Sequence, residues 1–407
     1  MKSESRFSLE NEDELINNIR GVFKLMDFKL TDEELLIKKL ARDFAEKEVR
    51  PIAKELSHTK GFPTKVYQEM GRLGLAGVPY PEEYGGGEGS WLAFAIVHEE
   101  IARVDPSVAN SIMGNSSVCS LLSNFGSRQQ KERWLTPILT GEKIGAIALT
   151  EPNAGSDANN LSTTAKLDGD KWVINGSKTF ISNSGTDITG PIIVAAVTGT
   201  DERGKKEIGT FIVPKETEGL LVGPQLQKIG FKGNDTRELT FDNCRVPKEN
   251  LLGDKAKGYR QTLETISSGR FLIAAMAVGL AQGCLDLSLQ YVRERKAFGR
   301  YLNEFQNIQF KLAEIATKIE LARMITYKAA VLKDNNEPFA MEASMAKMFA
   351  TKSAMEIAHE AVQMHGGYGI MEEYDVSRFF GDAKVLEIVE GTNEIQKMII
   401  SRQLIKN

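Results

Sequence analysis

The sequence predicts a mainly α-helical protein with a compact antiparallel β domain inserted between two helical regions. Apolar residues recur at helical spacing on both sides of the middle of the chain, for example at Leu312, Ile315 and Ile319. The middle instead carries short β runs separated by turn residues. At 407 residues, the chain is long enough for two or three packed units. We therefore expect a polar extension at residues 1–25, followed by domains at residues 26–143, 144–253 and 254–407.

The first region has the signals of capped helices. Thr31 precedes three acidic residues and an amphipathic face, which indicates a helix start. Residues 79–90 contain Gly85-Gly86-Gly87 and are expected to form a loop. Helical patterns follow at residues 91–102 and 128–139.

The middle region predicts several short strands. Asn175-Gly176 lies between the β runs 172–174 and 179–181, a pattern typical of a two-residue hairpin. Further runs occur at residues 192–197, 210–213 and 239–241. Together they predict an antiparallel unit.

The last region predicts long helices. Residues 267–293 are rich in Ala, Leu and Met, which suits a helix packed on several sides. Ala346, Phe349, Ala350 and Ile357 repeat at helical spacing in another segment. Long helices after a β unit indicate a helical bundle with the sheet domain inserted before it.

Composition argues against several classes of function. The net charge is −4 and no Lys/Arg-rich block occurs, so a nucleic-acid partner is not expected. Cys119, Cys244 and Cys284 are scattered and the four histidines lack ligand spacing, so neither a metal site nor a disulfide framework is expected. No apolar run reaches the roughly 18 residues of a membrane span. The first 25 residues lack a hydrophobic signal core, so a cytoplasmic location is favoured.

Two short segments contain residue types suited to chemistry. Glu390 stands before Gly391 and the capping residues Thr392 and Asn393, so it is either a solvated glutamate or a base at the mouth of a pocket. The loop at residues 150–157 follows a β run. It is either an ordinary turn or a cradle of N–H groups and hydroxyls for a ring edge or a phosphate. No G-x-G-x-x-G follows a strand, so a Rossmann-type site is not expected.

These segments belong to a series of motifs that resembles the acyl-CoA dehydrogenase family of flavoproteins over nearly the whole chain. The matching segments, in chain order, are Met26–Thr31, Tyr80–Gly87, Thr150–Asp157, Asn175–Asn183, Arg295–Arg300 with Phe305-Gln306, Gln363–Gly369 and Glu390–Thr392. The resemblance implies an N-terminal helical domain, a middle antiparallel β-barrel or sandwich and a C-terminal four-helix bundle.

The same resemblance implies a cofactor, a reaction and partners. FAD would bind in an extended form between subunits of a homotetramer, a dimer of dimers. The reaction would be α,β-desaturation of an acyl-CoA, with electrons passed to electron-transferring flavoprotein in a bacterial cytoplasm. Removal of a weakly acidic thioester α-proton needs a positioned carboxylate and stabilisation of the enolate oxygen.

By resemblance, Glu390 is the catalytic base and its N–H group helps to bind the thioester oxygen. Some relatives place the base on an earlier helix, at the position that Gly269 occupies here, so no competing carboxylate exists there. Arg270 is either a packing residue or a residue that tunes the environment of the base.

Further site residues follow from the resemblance. Arg295 is expected to clamp the FAD pyrophosphate of a neighbouring subunit, although an ordinary surface arginine is the alternative. The missing side chains of Gly366 and Gly367 would let the backbone approach the cofactor. The residues expected to contact FAD are Thr150, Ser156, Phe180, Ser182, Arg295, Phe298, Gln306, Gln363, Gly366, Gly367, Thr392 and Glu394. Those expected to contact the substrate are Ser156, Val389, Gly391 and Arg270.

Two departures bear on the substrate. Val389 stands where many relatives have Tyr, which predicts a wider pocket for a branched or cyclic acyl group unless bulk is restored from elsewhere. Ala109 stands where glutaryl-type relatives have a carboxylate-binding arginine, which disfavours a dicarboxylyl substrate.

Reduction of an enoyl-CoA is a rival function, because the sequence does not set the direction of the reaction. An oxidase would share the base, but those relatives are usually longer. A non-enzymatic interaction protein would be colourless.

Overall fold

The computed structural model describes residues 29–59 and 61–406. The predicted extension at residues 1–25 and the first part of the Met26–Thr31 motif lie outside these residues.

The N-terminal helices begin where the caps predict. Thr31 caps the first helix: the Glu34 N–H donates to Thr31 Oγ1 at 3.2 Å and the Thr31 N–H donates to Glu34 Oε2 at 2.8 Å. The helical segments predicted at residues 91–102 and 128–139 are confirmed, the second with a π-helical turn at Lys131–Leu135. The helices of this region are α1 (Asp32–Phe44), α2 (Arg50–Thr59), α3 (Thr64–Arg72), α4 (Trp91–Ala102), α5 (Pro106–Phe125), α6 (Arg128–Gln130) and α7 (Thr136–Leu139).

The middle of the chain forms an eight-stranded sheet in the order β6-β7-β3-β2-β4-β5-β8, with β1 paired to β4. Most pairs are antiparallel, but β1 and β2 both run parallel to β4, so the expectation of a purely antiparallel domain is wrong. The strands are β1 (Ile144–Ala148), β2 (Thr164–Asp168), β3 (Lys171–Ser182), β4 (Thr189–Thr200), β5 (Lys206–Pro214), β6 (Leu220–Gln225), β7 (Thr236–Pro247) and β8 (Leu251–Leu252).

The hairpin predicted at Asn175-Gly176 is wrong. β3 runs through both residues without a turn, and its register against β7 shifts between Ile174 and Gly176, as at a bulge. A Cβ on Gly176 would stand 2.6–2.9 Å from atoms of Thr163, so glycine is needed for close backbone approach. The chain reverses instead at Gly169, between the paired residues Asp168 and Lys171.

The C-terminal region is helical, apart from the two-stranded β9 (Lys296–Ala297) and β10 (Arg300–Tyr301). Its helices are α8 (Gly258–Glu294), α9 (Gln306–Asp334), α10 (Ala340–His365), α11 (Asp375–Ile388) and α12 (Asn393–Lys406). By length and composition α8 could cross a bilayer, but 72% of its apolar window is buried inside the protein. It is therefore a core helix, as the sequence predicts for residues 267–293.

One apolar core joins the two helical regions. It includes α4, α5, α8 and α10, and it also takes in Phe231 from the segment between β6 and β7. A second core lies within the sheet and contains Trp172, which is buried as a structural residue. Because α8 packs on α4, α5 and α10, it is a rigid support for side chains at its first half.

Candidate active site

Glu390 lies in the short loop between α11 and α12. Its φ is 53°, in the left-handed region, and Gly391 follows with a φ of 87°. Glu390 Oε2 is buried and has no hydrogen-bond partner. Burial raises the pKa of the Glu390 carboxyl above its ordinary value, and the positive charges of Arg270 and Lys347 oppose that rise. An unpartnered buried carboxylate with a raised pKa suits a general base more than a solvated glutamate.

Gly269 provides the space for that carboxylate. A Cβ built on Gly269 would stand 2.8 Å from Glu390 Oε2 and 3.2 Å from its Cδ. The position on α8 that could have carried another base is therefore the position against which Glu390 packs. A side chain at residue 269 and the present placement of Glu390 exclude one another.

Arg270 is buried beside Glu390. It is 8% exposed and its Nε has no partner, although Nη1 donates to Ser267 Oγ at 3.4 Å. Burial lowers the pKa of Arg270, and the charge of Glu390 opposes that shift. The burial and the unpaired Nε favour the second interpretation of this residue, a cation that tunes the base, over simple packing.

Sequence reasoning missed two buried residues that hold the Glu390 loop, Lys347 and Gln396. Lys347 of α10 donates from Nζ to Glu387 O at 2.8 Å and to Asn393 Oδ1 at 3.1 Å. Gln396 donates from Nε2 to Glu390 O at 3.1 Å and to Gly391 O at 2.8 Å. The available signal was a lysine on the apolar alanine face of α10, since Lys347 falls between the buried Ala346 and Ala350.

Two predicted cofactor segments lie together at the edge of the sheet. The loop after β1 and the end of β3 are joined by the Thr179 N–H, which donates to Thr150 O at 3.0 Å. Phe180 has a φ of 60° and its side chain is 68% exposed, while Thr150 and Ser182 are half-buried. Ser156 is exposed. An exposed aromatic ring beside half-buried hydroxyls suits the edge and face of a flavin ring.

A buried ion pair lies behind those segments. Lys178 Nζ donates to Glu151 Oε1 at 2.8 Å and to Leu149 O at 3.0 Å, and both side chains are almost fully buried. Burial acts to raise the pKa of Glu151, but hydrogen bonds from Lys178, Ser162 and Thr163 lower it to about 2. This pair connects the loop after β1 to β3 from inside the sheet.

The predicted intersubunit residues gather on another surface. Arg295, Gly366 and Gly367 line an open cavity of about 490 Å³ together with Tyr291 and Tyr368. A Cβ on Gly366 or Gly367 would meet no atom within 4 Å, so a ligand can approach this backbone. Phe298, Gln306 and Gln363 are exposed, with Phe298 96% exposed at a φ of 51°. The donors and the open backbone fit the phosphates of an extended FAD.

The remaining predicted residues surround Glu390 in sequence. Thr392 accepts a hydrogen bond at Oγ1 from the Ile395 N–H at 3.4 Å, so it helps to cap α12. Val389 is half-buried and packs against the helical core. Glu394 is exposed. His365, at the end of α10, is buried and its Nδ1 lies 2.7 Å from Ala361 O.

Within residues 29–59 and 61–406, no group of three or more His, Cys, Asp or Glu side chains is arranged to hold a metal ion. The carboxylates at the site are accounted for in other ways, because Glu151 bonds Lys178 and Glu390 faces Gly269.

Family models for three acyl-CoA dehydrogenase domains match the chain in order. The N-terminal domain model matches residues 31–142, the middle domain model residues 146–244 and the C-terminal domain model residues 256–405.

Relatives of named activity align over most of their lengths. A probable acyl-CoA dehydrogenase of Bacillus subtilis is 46% identical over 94% of this chain and 100% of its own. An acryloyl-CoA reductase (NADH) of Anaerotignum propionicum is 40% identical over 94% of this chain and 97% of its own.

Solved structures have the same fold. Butyryl-CoA dehydrogenase from Megasphaera elsdenii aligns with a TM-score of 0.90 at 40% identity, covering 93% of this chain and 100% of that one. A chain from a study of the electron transferring flavoprotein of Acidaminococcus fermentans aligns with a TM-score of 0.90 at 40% identity, covering 94% of this chain and 100% of that one. A glutaryl-CoA dehydrogenase from Mycobacterium smegmatis in complex with FADH2 aligns with a TM-score of 0.88 at 26% identity, covering 94% of this chain and 97% of that one.

The fold expected from the resemblance is confirmed by these matches, apart from the parallel pairings within the sheet. The family is FAD-dependent, so FAD is the cofactor of this chain. The protein belongs to the acyl-CoA dehydrogenase family and is an oxidoreductase.

Proposed function

We propose that this protein desaturates the Cα–Cβ bond of an acyl-CoA thioester, with Glu390 as the base. The observation that carries the proposal is the Glu390 carboxylate, whose Oε2 is buried without a partner against Gly269. A buried carboxylate with no protein partner is free to take a proton from a ligand.

Each residue at the site has a separate role in the proposed reaction. Glu390 removes the α-proton, and its N–H group donates to the thioester oxygen as negative charge develops there. Arg270 and Lys347 keep a fraction of Glu390 ionised despite its burial. FAD, when bound, would supply the acceptor for the hydride of the β-carbon, and Thr150, Phe180 and Ser182 would hold its ring.

The FAD contacts are part of the proposal. Thr150, Phe180 and Ser182 would hold the flavin ring, and Ser156 would contact the CoA portion of the substrate as well. Arg295, Phe298, Gln306, Gln363, Gly366 and Gly367 would bind the remainder of an FAD shared between subunits, with Thr392 and Glu394 near it. The exposure of Phe298 and the open cavity beside Gly366 support this assignment.

The Glu390→Gln variant tests the base. It should bind FAD and acyl-CoA yet lose nearly all turnover, on the order of 10³-fold or more, because a neutral amide accepts no proton. Anaerobic bleaching of the flavin absorbance by acyl-CoA measures this directly. Glu372→Gln, an exposed carboxylate on the loop before α11, is the matched control and should bleach at the wild-type rate. Retained bleaching in Glu390→Gln would remove this residue from the mechanism.

The acyl group is proposed to be branched or cyclic, because Val389, directly before Glu390, stands where many relatives have the larger Tyr. The same bleaching assay with straight, branched and cyclic acyl-CoAs ranks the substrates. Faster turnover of the straight chains would contradict the wider pocket. Relatives named short-chain specific, such as that of Clostridium acetobutylicum at 42% identity, favour short acyl groups in the panel.

Reduction of an enoyl-CoA is the second candidate. It is favoured by relatives named acryloyl-CoA reductase and 3-(aryl)acrylate reductase, at 40% and 42% identity. The base is the same in both directions, because Glu390 would return the proton that it removes in desaturation. Rates in both directions with matched substrates decide between the two.

We further propose that the protein passes electrons to electron-transferring flavoprotein, forms a homotetramer as a dimer of dimers and works in the cytoplasm of a bacterium. The alignment with a chain from the Acidaminococcus fermentans study supports the first of these proposals. The exposure of Arg295 and Phe298 in the single chain supports the assembly, because both would be covered by an FAD shared with a second subunit.

A further inference from the structure

A buried cation lies beneath the loop that carries Glu390. Lys347 is fully buried on α10, and its Nζ donates to Glu387 O at 2.8 Å and to Asn393 Oδ1 at 3.1 Å. Glu387 is in the last turn of α11, and Asn393 is the first residue of α12. One ammonium group therefore joins the two ends of the loop on either side of Glu390.

The loop needs such a support because its backbone is strained. A left-handed conformation is unfavourable for a residue other than glycine, and Glu390 has a φ of 53°. Such residues persist where their surroundings hold them. Gln396 holds the carbonyl groups of Glu390 and Gly391, and Thr351 Oγ1 donates to Asn393 Oδ1 at 3.1 Å, beside Lys347.

The charge at this position has an electrostatic consequence as well. The charged groups that face the loop are Arg270 on α8, Lys347 on α10, Glu387 on α11 and Glu394 on α12. Burial lowers the pKa of Lys347 to about 8, opposed by those carboxylates and Glu390, so the residue remains charged below that pH. Its charge then favours the ionised form of the base.

A purely structural role explains the lysine poorly. Moving an ammonium group out of water is costly, and apolar replacements of buried charges are often neutral or stabilising. The neighbours of Lys347 on α10 include the buried alanines Ala343, Ala346 and Ala350 as well as Ser344 and Thr351, so much of its surroundings on this helix would accommodate an apolar side chain. The presence of a cation at this position is therefore better explained by its effect on Glu390.

We propose that Lys347 is a positioning residue for Glu390, holding the loop in its left-handed conformation and supplying positive charge that keeps the base ionised. The proposal rests on the proposed function, because it assumes that Glu390 is the base.

Three substitutions separate the two effects. Lys347→Gln keeps a hydrogen-bond donor and loses the charge, Lys347→Met loses both, and Lys347→Arg keeps the charge. In the Lys347→Gln and Lys347→Met variants, the pKa on the acid limb of the kcat/KM profile should rise by about one unit, because a lost cation disfavours the carboxylate. The Lys347→Arg variant should have the wild-type pKa on that limb. In Lys347→Met, kcat should also fall about tenfold to a hundredfold, because the base is no longer held in place.

A second measurement does not depend on turnover. An unreactive acyl-CoA thioether should dehydrate Glu390 when it binds the FAD-loaded enzyme, so that the protein takes up protons. Calorimetry in two buffers of different ionisation enthalpy measures this uptake. Lys347→Gln and Lys347→Met should take up fewer protons than the wild type, because more of their Glu390 is already protonated.

Lys352→Met, an exposed lysine on the same helix, is the matched control and should leave both measurements unchanged. An acid limb and proton uptake equal to wild type in the folded Gln variant, with Glu390→Gln inactive, would overturn the role of Lys347 and leave the proposed function standing. Turnover retained in Glu390→Gln would instead overturn the proposed function. If Lys347→Met does not fold, the Gln and Arg variants decide the result.

Discussion

At the scale of single residues, the site depends on the empty side of Gly269. Glu390 Oε2 lies only 2.8 Å from the position that a Cβ on residue 269 would take. Glycine in a helix interior costs roughly 0.8–1 kcal/mol relative to alanine, and Gly269 lies within the 37-residue helix α8. The space that the Glu390 carboxylate occupies explains why glycine stands at position 269 despite this cost in stability.

Gly269→Ala should therefore separate activity from stability. The added methyl should displace the Glu390 carboxylate and lower kcat at least tenfold, since small misplacements of a base carry large rate penalties. Thermal unfolding should be unchanged or occur at a higher temperature, because alanine is the better helix former. Stopped-flow bleaching and circular dichroism measure the two. Glu264→Ala, exposed on the same helix, is the control, and unchanged turnover in Gly269→Ala would contradict the proposed contact.

At the scale of elements, a buried pair couples the loop after β1 to strand β3. Lys178 lies on β3 and Glu151 begins the loop, and Glu151 also accepts from the N–H groups of Ser162 and Thr163 at 2.7 and 3.0 Å. Burial lowers the pKa of Lys178 to about 8, opposed by Glu151. The two segments that are proposed to contact the flavin ring are thus linked inside the sheet by this pair, in addition to the Thr179 N–H to Thr150 O bond.

Lys178→Met should weaken both the fold and the cofactor site. The variant leaves Glu151 buried without its cation, which should lower the free energy of unfolding by about 3 kcal/mol. FAD should dissociate more readily, because the two segments are no longer held together. Denaturant unfolding of the FAD-loaded protein and fluorescence of released FAD measure these effects. Adding Glu151→Gln should recover part of the stability, and Lys171→Met, exposed on the same strand, should change neither.

At the scale of the whole molecule, an ion cluster joins the three regions of the chain. Arg378 of α11 donates to Asp105 Oδ2, at the start of α5, at 2.8 Å. Asp382, one turn further along α11, accepts from the Phe231 N–H at 2.6 Å, and Phe231 lies between β6 and β7. The helix whose end carries the Glu390 loop is therefore anchored to both other regions.

Arg378→Met should loosen that anchor. The variant leaves Asp105 and Asp382 buried without their shared cation, which should cost about 3 kcal/mol of stability and lower the unfolding temperature. Differential scanning calorimetry measures the change. Arg245→Met removes an exposed pair with Asp168 at 3.0 Å and should cost under about 1 kcal/mol, so equal effects of the two variants would contradict a structural role for the cluster.

Local signals were sufficient for several features of this protein. The capping box at Thr31 and the helix at residues 91–102 depend on neighbouring residues in sequence, and both are confirmed. Asn175-Gly176 misled because a bulge and a turn use the same residue types, and the contact that favours the bulge comes from Thr163, the residue before β2. The parallel pairing of β1 with β4 was missed for the same reason, since pairing partners distant in sequence leave no local pattern.

The order of helical and β regions could be predicted from the sequence, because periodicity is a property of short segments. The resemblance of its motifs to the family implied the FAD cofactor and Glu390 as the candidate base. The tertiary structure alone decided how that base is held. Lys347 lies 43 residues before Glu390 and Gly269 lies 121 residues before it. Their contacts exist only because α8, α10 and α11 pack together and exclude water. Burial and charge at the base are products of that packing.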